Sequence, residues 1–224
     1  MGGARLRDAL HGMTDIEQPP MHSNDSGISV PWSVREAVFG ALIVAGANVL
    51  ALVSITWVAG DTEGRVTRAL VLFSMVILLG FDLLVVWYFA VKSHRATWRM
   101  LGFSPSSVRW GLLFPLLGLM LSIGLTAVYT LSMMALGWDS LVPTPLPAGV
   151  LGEGSSKLAA IAILGILGPF TEEVFFRGFL LAAMVHPFGA LRAALVASAI
   201  FAASHGNVSI LVPVFVSGLI LSWL

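Results

Sequence analysis

The sequence predicts an all-α protein, a polytopic bundle of transmembrane helices. Of its 224 residues, 57% are hydrophobic and only 11% are charged, and the mean hydropathy is +0.92, far from the balance of a soluble domain. The apolar residues fall into segments separated by polar or proline-rich stretches. The longer segments can each cross roughly 30 Å of hydrocarbon as a helix. We therefore expect about six spans, the last of them truncated where the sequence stops.

Composition also excludes several classes of function. The formal net charge is zero and there is no basic tract or zinc-finger spacing, so nucleic acid is not an expected partner. The chain contains no cysteine, which rules out disulfides, thiolate catalysis and thiolate metal sites. The expected partner is the lipid bilayer, and the glycine-rich spans leave the oligomeric state open.

The chain opens with a polar leader. Residues 1–36 lack an apolar core, so we expect a disordered cytoplasmic tail rather than a signal peptide. The membrane domain is expected over 37–224, with two leading spans in 37–91. Asn48 and Asp82 are the polar residues in these spans, and we expect a structural role for them, as hydrogen-bonding groups across the bundle.

The later segments follow in order. A third span is expected at 111–136, and prolines at alternate positions predict an extended loop over 138–157. The fourth segment, 158–185, would measure about 42 Å as a straight helix, so it must tilt, kink or break, and Gly168-Pro169 is the expected place. Thr171 is positioned to cap the helix that restarts there. A fifth and a sixth apolar segment cover 190–204 and 208–224.

The fourth segment contains two adjacent carboxylates and one guanidinium, Glu172, Glu173 and Arg177. Each ionised side chain near the bilayer centre costs roughly 2.5–3.5 kcal/mol by insertion scales, so a functional site is the default interpretation. Glu173 and Arg177 are four residues apart, which predicts an ion pair. Glu172 points about 100° away and is left as a free acid. The alternative is a structural charge cluster that locks two helices together.

The fifth segment supplies a histidine. Phe201 and His205 are one turn apart on one helix face, so we expect the phenyl ring to pack beside the imidazole and limit its solvation. A lone histidine near a helix end usually has only a structural hydrogen bond. Beside a free carboxylate such as Glu172, however, acid and imidazole together provide what water activation requires. His186 is interpreted as an interfacial residue.

The lysines and arginines outside the spans predict the orientation. One side holds Arg35, Lys92, Arg95, Arg99, Arg109 and Arg192, together with the distant Arg5 and Arg7, and the other holds Arg65, Arg68 and Lys157. Discounting the two distant leader residues leaves six against three, which places the N-terminus in the cytoplasm, in a bacterial-type plasma membrane.

A family resemblance rests on two motifs. Glu172-Glu173-x-x-x-Arg177, followed roughly thirty residues later by Phe201-x-x-x-His205 on another apolar segment, resembles the CAAX protease and bacteriocin-processing family of intramembrane proteases, relatives of the type II CAAX prenyl endopeptidase. The resemblance covers about residues 100–224 and implies a protease-like core over 111–224. It implies peptide-bond hydrolysis in which Glu172 activates a water with help from His205. In the family, the arginine pairs with and orients the glutamates.

One departure from the family pattern affects the expected activity. The family has a further histidine on a later helix, followed four residues on by asparagine or a similar residue. This pair of residues is thought to complete the site and to stabilise the oxyanion. Asn207 and Ser209 are the only candidates after His205, and neither fits that spacing. A missing oxyanion donor commonly costs ~2.7–4 kcal/mol. We therefore expect a longer complete gene product, or a truncated variant with poor turnover.

The sequence leaves one alternative open for the cofactor and another for the function. Glu172, Glu173 and His205 are the ligands that a zinc ion would use, as the label metalloprotease for such enzymes suggests. Adjacent acids diverge and Arg177 competes for Glu173, so no cofactor is expected. The substrate is expected to be a membrane-associated peptide or protein, prenylated in the case of CAAX cleavage. The alternative is a non-catalytic membrane protein, such as a bacteriocin immunity or assembly factor, or a small transporter.

Overall fold

The computed structural model describes residues 29–59, 64–103, 113–143 and 153–223, and within these ranges it contains helices and no strand. The predicted all-α membrane fold is confirmed. The leader up to residue 28 lies outside the described residues. The main helices are α1 (Val34–Ala59), α2 (Gly64–Val86, extended by a π-helical turn Trp87–Lys92), α3 (Leu113–Ala135), α4 (residues 154–188), α5 (Ala190–Ser204) and α6 (Leu211–Trp223).

Four of the described helices are long and apolar enough to cross a membrane. The spanning stretches are Val34–Ile55, Arg68–Lys92, Leu117–Ala135 and Ser156–Phe188, and the two shorter apolar helices are Ala190–Ser204 and Val208–Trp223. The six predicted segments are therefore all helical, although the last two fall short of a full span. Large apolar side chains face outward: Leu50, Leu131 and Ile166 are 70%, 66% and 69% exposed. Such a surface requires lipid around it.

Helix α4 is the centre of the bundle. It packs against α1, α2 and α5, while α6 packs against α5 and α3. The largest fully buried side chains include Phe175, Phe179, Leu180 and Met184, all on α4. They join the core residues Ala37 and Val44 of α1, Val85 and Val86 of α2, and Ala193 and Phe201 of α5 in one cluster. Charged residues of α4 are therefore held by packing on three sides.

Helix α4 is irregular but unbroken. It consists of the α-helical segments Gly154–Ala162, Gly168–Glu172 and Ala182–Phe188, joined by the π-helical segments Ile163–Leu167 and Glu173–Leu181. The predicted break at Gly168-Pro169 is therefore wrong. Leu167 and Gly168 keep right-handed helical backbone angles, because the widened turn before Pro169 accommodates its ring and its missing N–H.

Two further details of α4 differ from the prediction. Thr171 does not cap a helix, since it lies inside the continuous helix, is fully buried, and its Oγ1 has no hydrogen-bond partner among the described residues. The helix also continues through His186 and Pro187 to Phe188, where Gly189 ends it with φ of 77°. Glycine is needed there because other residues rarely adopt a positive φ.

The segment before α1 is tied to α4. Trp32 is 2% exposed, its indole N–H donates to the carbonyl oxygen of Phe179 at 3.0 Å, and the two rings stack at 5.8 Å. Ser33 and Glu36 form a capping box at the start of α1. His94, just after α2, contacts Glu36 of α1 at 2.8 Å. The Trp32 contacts therefore join the start of the N-terminal span to the charged helix, and the His94 contact joins α1 to the end of α2.

Candidate active site

The two adjacent glutamates face different cavities. Glu172 lines a cavity of about 240 Å³, and Glu173 lines a separate cavity of about 610 Å³ together with Arg177 and Arg99. Consecutive residues of a helix point about 100° apart, which is the divergence predicted from the sequence. The two acids therefore differ in the residues that surround them.

Glu173 and Arg177 form the predicted ion pair. Oε1 of Glu173 and Nη1 of Arg177 are 3.2 Å apart, and the arginine side chain is 13% exposed. The contact lacks hydrogen-bond geometry, since Nη1 and Nη2 are buried without a hydrogen-bond partner among the described residues. The guanidinium also lies over the ring of Phe201, 4.7 Å from its centroid. Arg177 therefore joins α4 to α5, the helix that carries His205.

His205 is held in one tautomer by its own helix. Its Nδ1 lies 2.9 Å from the carbonyl oxygen of Phe201, and because a carbonyl can only accept, Nδ1 is the donor. In the neutral ring, Nε2 is then the acceptor. The Phe201 ring packs edge-on against the imidazole at 4.9 Å, as predicted, but His205 remains exposed. The ring therefore orients the imidazole without sheltering it.

Glu172 and His205 line the same cavity. It is formed where α1, α2, α4 and the end of α5 meet, and its lining includes Asn48, Asp82, Glu172, Ser204 and His205. A sphere of 240 Å³ is about 8 Å across, enough for a few waters or one peptide group. One residue with a carboxylate and one with an imidazole, on separate helices, therefore line one small volume.

Two residues that belong to neither sequence motif, Asn48 and Asp82, also line this cavity. Asn48 is exposed and its Nδ2 donates to the carbonyl oxygen of Val44 in its own helix, and the expected hydrogen bond across the bundle is not found among the described residues. Asp82 is half-buried, and its Oδ1 is buried without a partner among the described residues. A carboxylate inside a membrane span is costly, and this cost could have indicated from the sequence that Asp82 is functional. It could not indicate which cavity the side chain faces.

Asn207 and Ser209, the two candidates for oxyanion stabilisation, contact each other. The Asn207 side-chain oxygen accepts from the backbone N–H of Ser209 at 3.0 Å and from its hydroxyl at 2.8 Å. Asn207 thereby caps the short 3₁₀ helix Val208–Ile210 that leads into α6. Capping satisfies a backbone donor that would otherwise be unpaired, and it uses the amide oxygen of Asn207.

A zinc site does not fit this geometry. Glu173 lines the cavity that contains Arg177, whereas Glu172 and His205 line the other. Within the part of the chain that the structure describes, no group of three such side chains is arranged to hold one metal ion, although Asp82, Glu172 and His205 line one cavity. Zinc in hydrolases typically takes three protein ligands, so we derive no catalytic step through a metal.

The fold and the site define an integral membrane protein in which acid and base side chains face a cavity inside the helical bundle. Residues 154–224, which include Glu172, Glu173, Arg177 and His205, match the family model of type II CAAX prenyl endopeptidase Rce1-like proteins. The resemblance to CAAX proteases is thereby confirmed for this part of the chain. No curated protein and no solved structure matches the chain.

Proposed function

We propose that the protein is an intramembrane endopeptidase that hydrolyses peptide bonds of membrane-associated substrates with a water activated by Glu172 and His205. The observation that carries the proposal is the cavity of about 240 Å³ that both side chains line from separate helices. The family match over residues 154–224 supports a protease of the CAAX type. The four residues assigned to the reaction all lie within that match.

The two side chains complement each other in activating water. A water has two protons, and the cavity offers two acceptors for them: the carboxylate of Glu172 and Nε2 of His205, since Nδ1 of the histidine donates to Phe201. With both protons held, an oxygen lone pair is free to attack a carbonyl carbon. Glu172 accepts the proton as the new C–O bond forms.

Arg177 and Glu173 act as positioning residues. Arg177 contacts Glu173 on α4 and covers the face of the Phe201 ring on α5. Phe201 in turn accepts the hydrogen bond that fixes His205. Their role is therefore to keep α4 and α5 in the relative position that brings Glu172 and His205 to one cavity. Small displacements of a reacting group can cost a hundredfold in rate.

An apolar cavity next to the site is suited to the membrane-embedded part of a substrate. It measures about 710 Å³, and α3, α5 and α6 line it with residues that include Thr126, Phe201, His205 and Leu221. His205 lines both this cavity and the polar one. A peptide with an attached lipid could place its chain in the apolar cavity and its scissile bond beside His205. We therefore propose a lipidated or membrane-embedded peptide, such as a prenylated CAAX sequence, as substrate.

The reaction requires no metal in this proposal, because the carboxylate and the imidazole activate the water themselves.

We also propose an orientation, with a cytoplasmic N-terminus in a bacterial-type plasma membrane, from the excess of lysine and arginine on that side. The absence of cysteine makes this testable. Single cysteines at Arg95 and Lys157 would be labelled from opposite sides of the membrane by an impermeant thiol reagent, and labelling of both from the same side would contradict the orientation.

The catalytic proposal is tested with substitutions that remove the carboxylate or the imidazole, and with matched controls. The assay follows cleavage of a fluorogenic peptide ending in a farnesylated Cys-aliphatic-aliphatic-X sequence, with the protein reconstituted in phospholipid vesicles. Glu172→Gln and His205→Ala should each lower kcat at least a hundredfold, the typical contribution of acid–base catalysis. The controls Glu153→Gln and His186→Ala remove the same groups from exposed positions and should leave the rate unchanged.

Two results would refute the proposal. One is cleavage by Glu172→Gln at the rate of the unsubstituted protein. The other is loss of accumulation of Glu172→Gln and His205→Ala in the membrane while the controls accumulate, which would support a structural lock between helices. Accumulation is measured by immunoblot of the membrane fraction alongside every rate.

A further inference from the structure

Asp82 is the second carboxylate of the cavity that holds Glu172. It lies on α2, outside the residues that match the family model, and it lines the cavity together with Glu172 and His205. Its Oδ1 is buried and has no hydrogen-bond partner among the described residues. The proposed water activation does not use it. A buried carboxylate oxygen without a donor is costly, so this side chain requires an explanation.

The position of Asp82 favours its neutral form. Two carboxylates that share a small cavity cannot both ionise without strong repulsion. Arg177 pairs with Glu173, whereas no lysine or arginine among the described residues lines the cavity of Asp82. A protonated carboxyl group is a hydrogen-bond donor. The cavity then contains one carboxylate that accepts and one carboxylic acid that donates.

We propose that Asp82 is the general acid of the reaction and donates its proton to the leaving amine. This inference rests on the proposed endopeptidase function. Water attacks the carbonyl carbon, forming the C–O bond, while Glu172 takes one water proton. As the C–N bond breaks, Asp82 delivers its proton to the nitrogen and becomes a carboxylate. The proton on Glu172 then passes to Asp82 through water in the cavity, which restores the starting state with one peptide bond and one water consumed.

The pH dependence of kcat distinguishes this role from a structural one. The groups facing Asp82 are Glu172 on α4 and His205 on α5, while α1 contributes the uncharged Asn48. Glu172 must be ionised and Asp82 protonated, so the unsubstituted protein should give a bell-shaped profile. The alkaline limb belongs to Asp82.

The experiment compares Asp82→Asn with the cavity control Asn48→Ala, in the same vesicle assay with the farnesylated peptide. Asp82→Asn should lower kcat at least a hundredfold and abolish the alkaline limb while keeping the acidic limb. Asn48→Ala should keep both limbs. A rate for Asp82→Asn equal to that of the unsubstituted protein, or a uniform decrease with both limbs retained, overturns the assignment of Asp82 and leaves the roles of Glu172 and His205 intact.

A second variant guards against failure to fold. Asp82→Glu retains an acid in the cavity and should therefore retain the alkaline limb. If Asp82→Asn does not accumulate, loss of the limb in an accumulating Asp82→Glu protein overturns the proposal, and its retention supports it. Full activity of Glu172→Gln would instead refute the endopeptidase function itself, so the two failures are distinguishable.

Discussion

Gly178 provides a stringent test of the packing around the charged helix. A Cβ added at this position would lie 2.7 Å from the carbonyl oxygen of Leu101 and 3.4 Å from its carbonyl carbon. Even the closest favourable carbon–oxygen contacts are about 3.3 Å long, so the overlap is about 0.6 Å. The obstacle is backbone, which cannot rotate away as a side chain can. Gly178→Ala must therefore push the 96–103 linker away from α4.

The expected cost is about 1–3 kcal/mol, the usual range for overpacking a filled site. Gly165→Ala is the matched control, because it lies in the same helix with nothing within 4 Å of the added Cβ. That substitution should be neutral or stabilising by up to about 1 kcal/mol. Thermal unfolding of purified protein in detergent, followed by tryptophan fluorescence, measures both. Equal stability of the two variants would refute the close approach of α4 and the linker.

Three other predictions follow from the same contacts. Trp32→Phe should destabilise the protein by about 0.5–1.5 kcal/mol in thermal unfolding, because the indole hydrogen bond to the carbonyl oxygen of Phe179 is lost, whereas Trp98→Phe at an exposed position should have little effect. Phe201→Leu should lower kcat roughly 2- to 30-fold, since a cation–π contact is worth about 0.5–2 kcal/mol, with accumulation unchanged; an unaltered rate would show that Arg177 does not position His205. A chelator such as 1,10-phenanthroline should leave the cleavage rate of the vesicle assay unchanged, and inhibition reversed by added zinc would contradict the metal-independent mechanism.

The sequence predicted the elements that depend on local patterns. The apolar segments long enough to cross a bilayer are helical in the structure, and Glu173 and Arg177, four residues apart, form an ion pair. Both features could be predicted because they depend on helix geometry alone. The divergence of Glu172 from Glu173 follows from the same geometry. These predictions needed no knowledge of how the helices pack.

Other features depend on contacts between distant segments and could not be predicted. Composition cannot show that Asp82 faces the same cavity as Glu172, because that depends on the rotation of α2 against α4. The contact of His94 with Glu36 likewise joins residues 58 positions apart. The prediction of a break at Gly168-Pro169 was wrong for a different reason. A proline can be accommodated by widening a helix as well as by interrupting it, and propensity rules do not choose between the two.

The π-helical segments on either side of Glu172 affect how α4 tolerates a change in its length. A regular helix advances 100° with each residue, so removing one residue from the uniform helix α3 rotates its two halves against each other. Removing one residue within Glu173–Leu181 can instead close a widened turn. A single deletion should therefore disturb the flanking turns less in this stretch than in α3, and its main effect should be on the side chains of the widened turn itself.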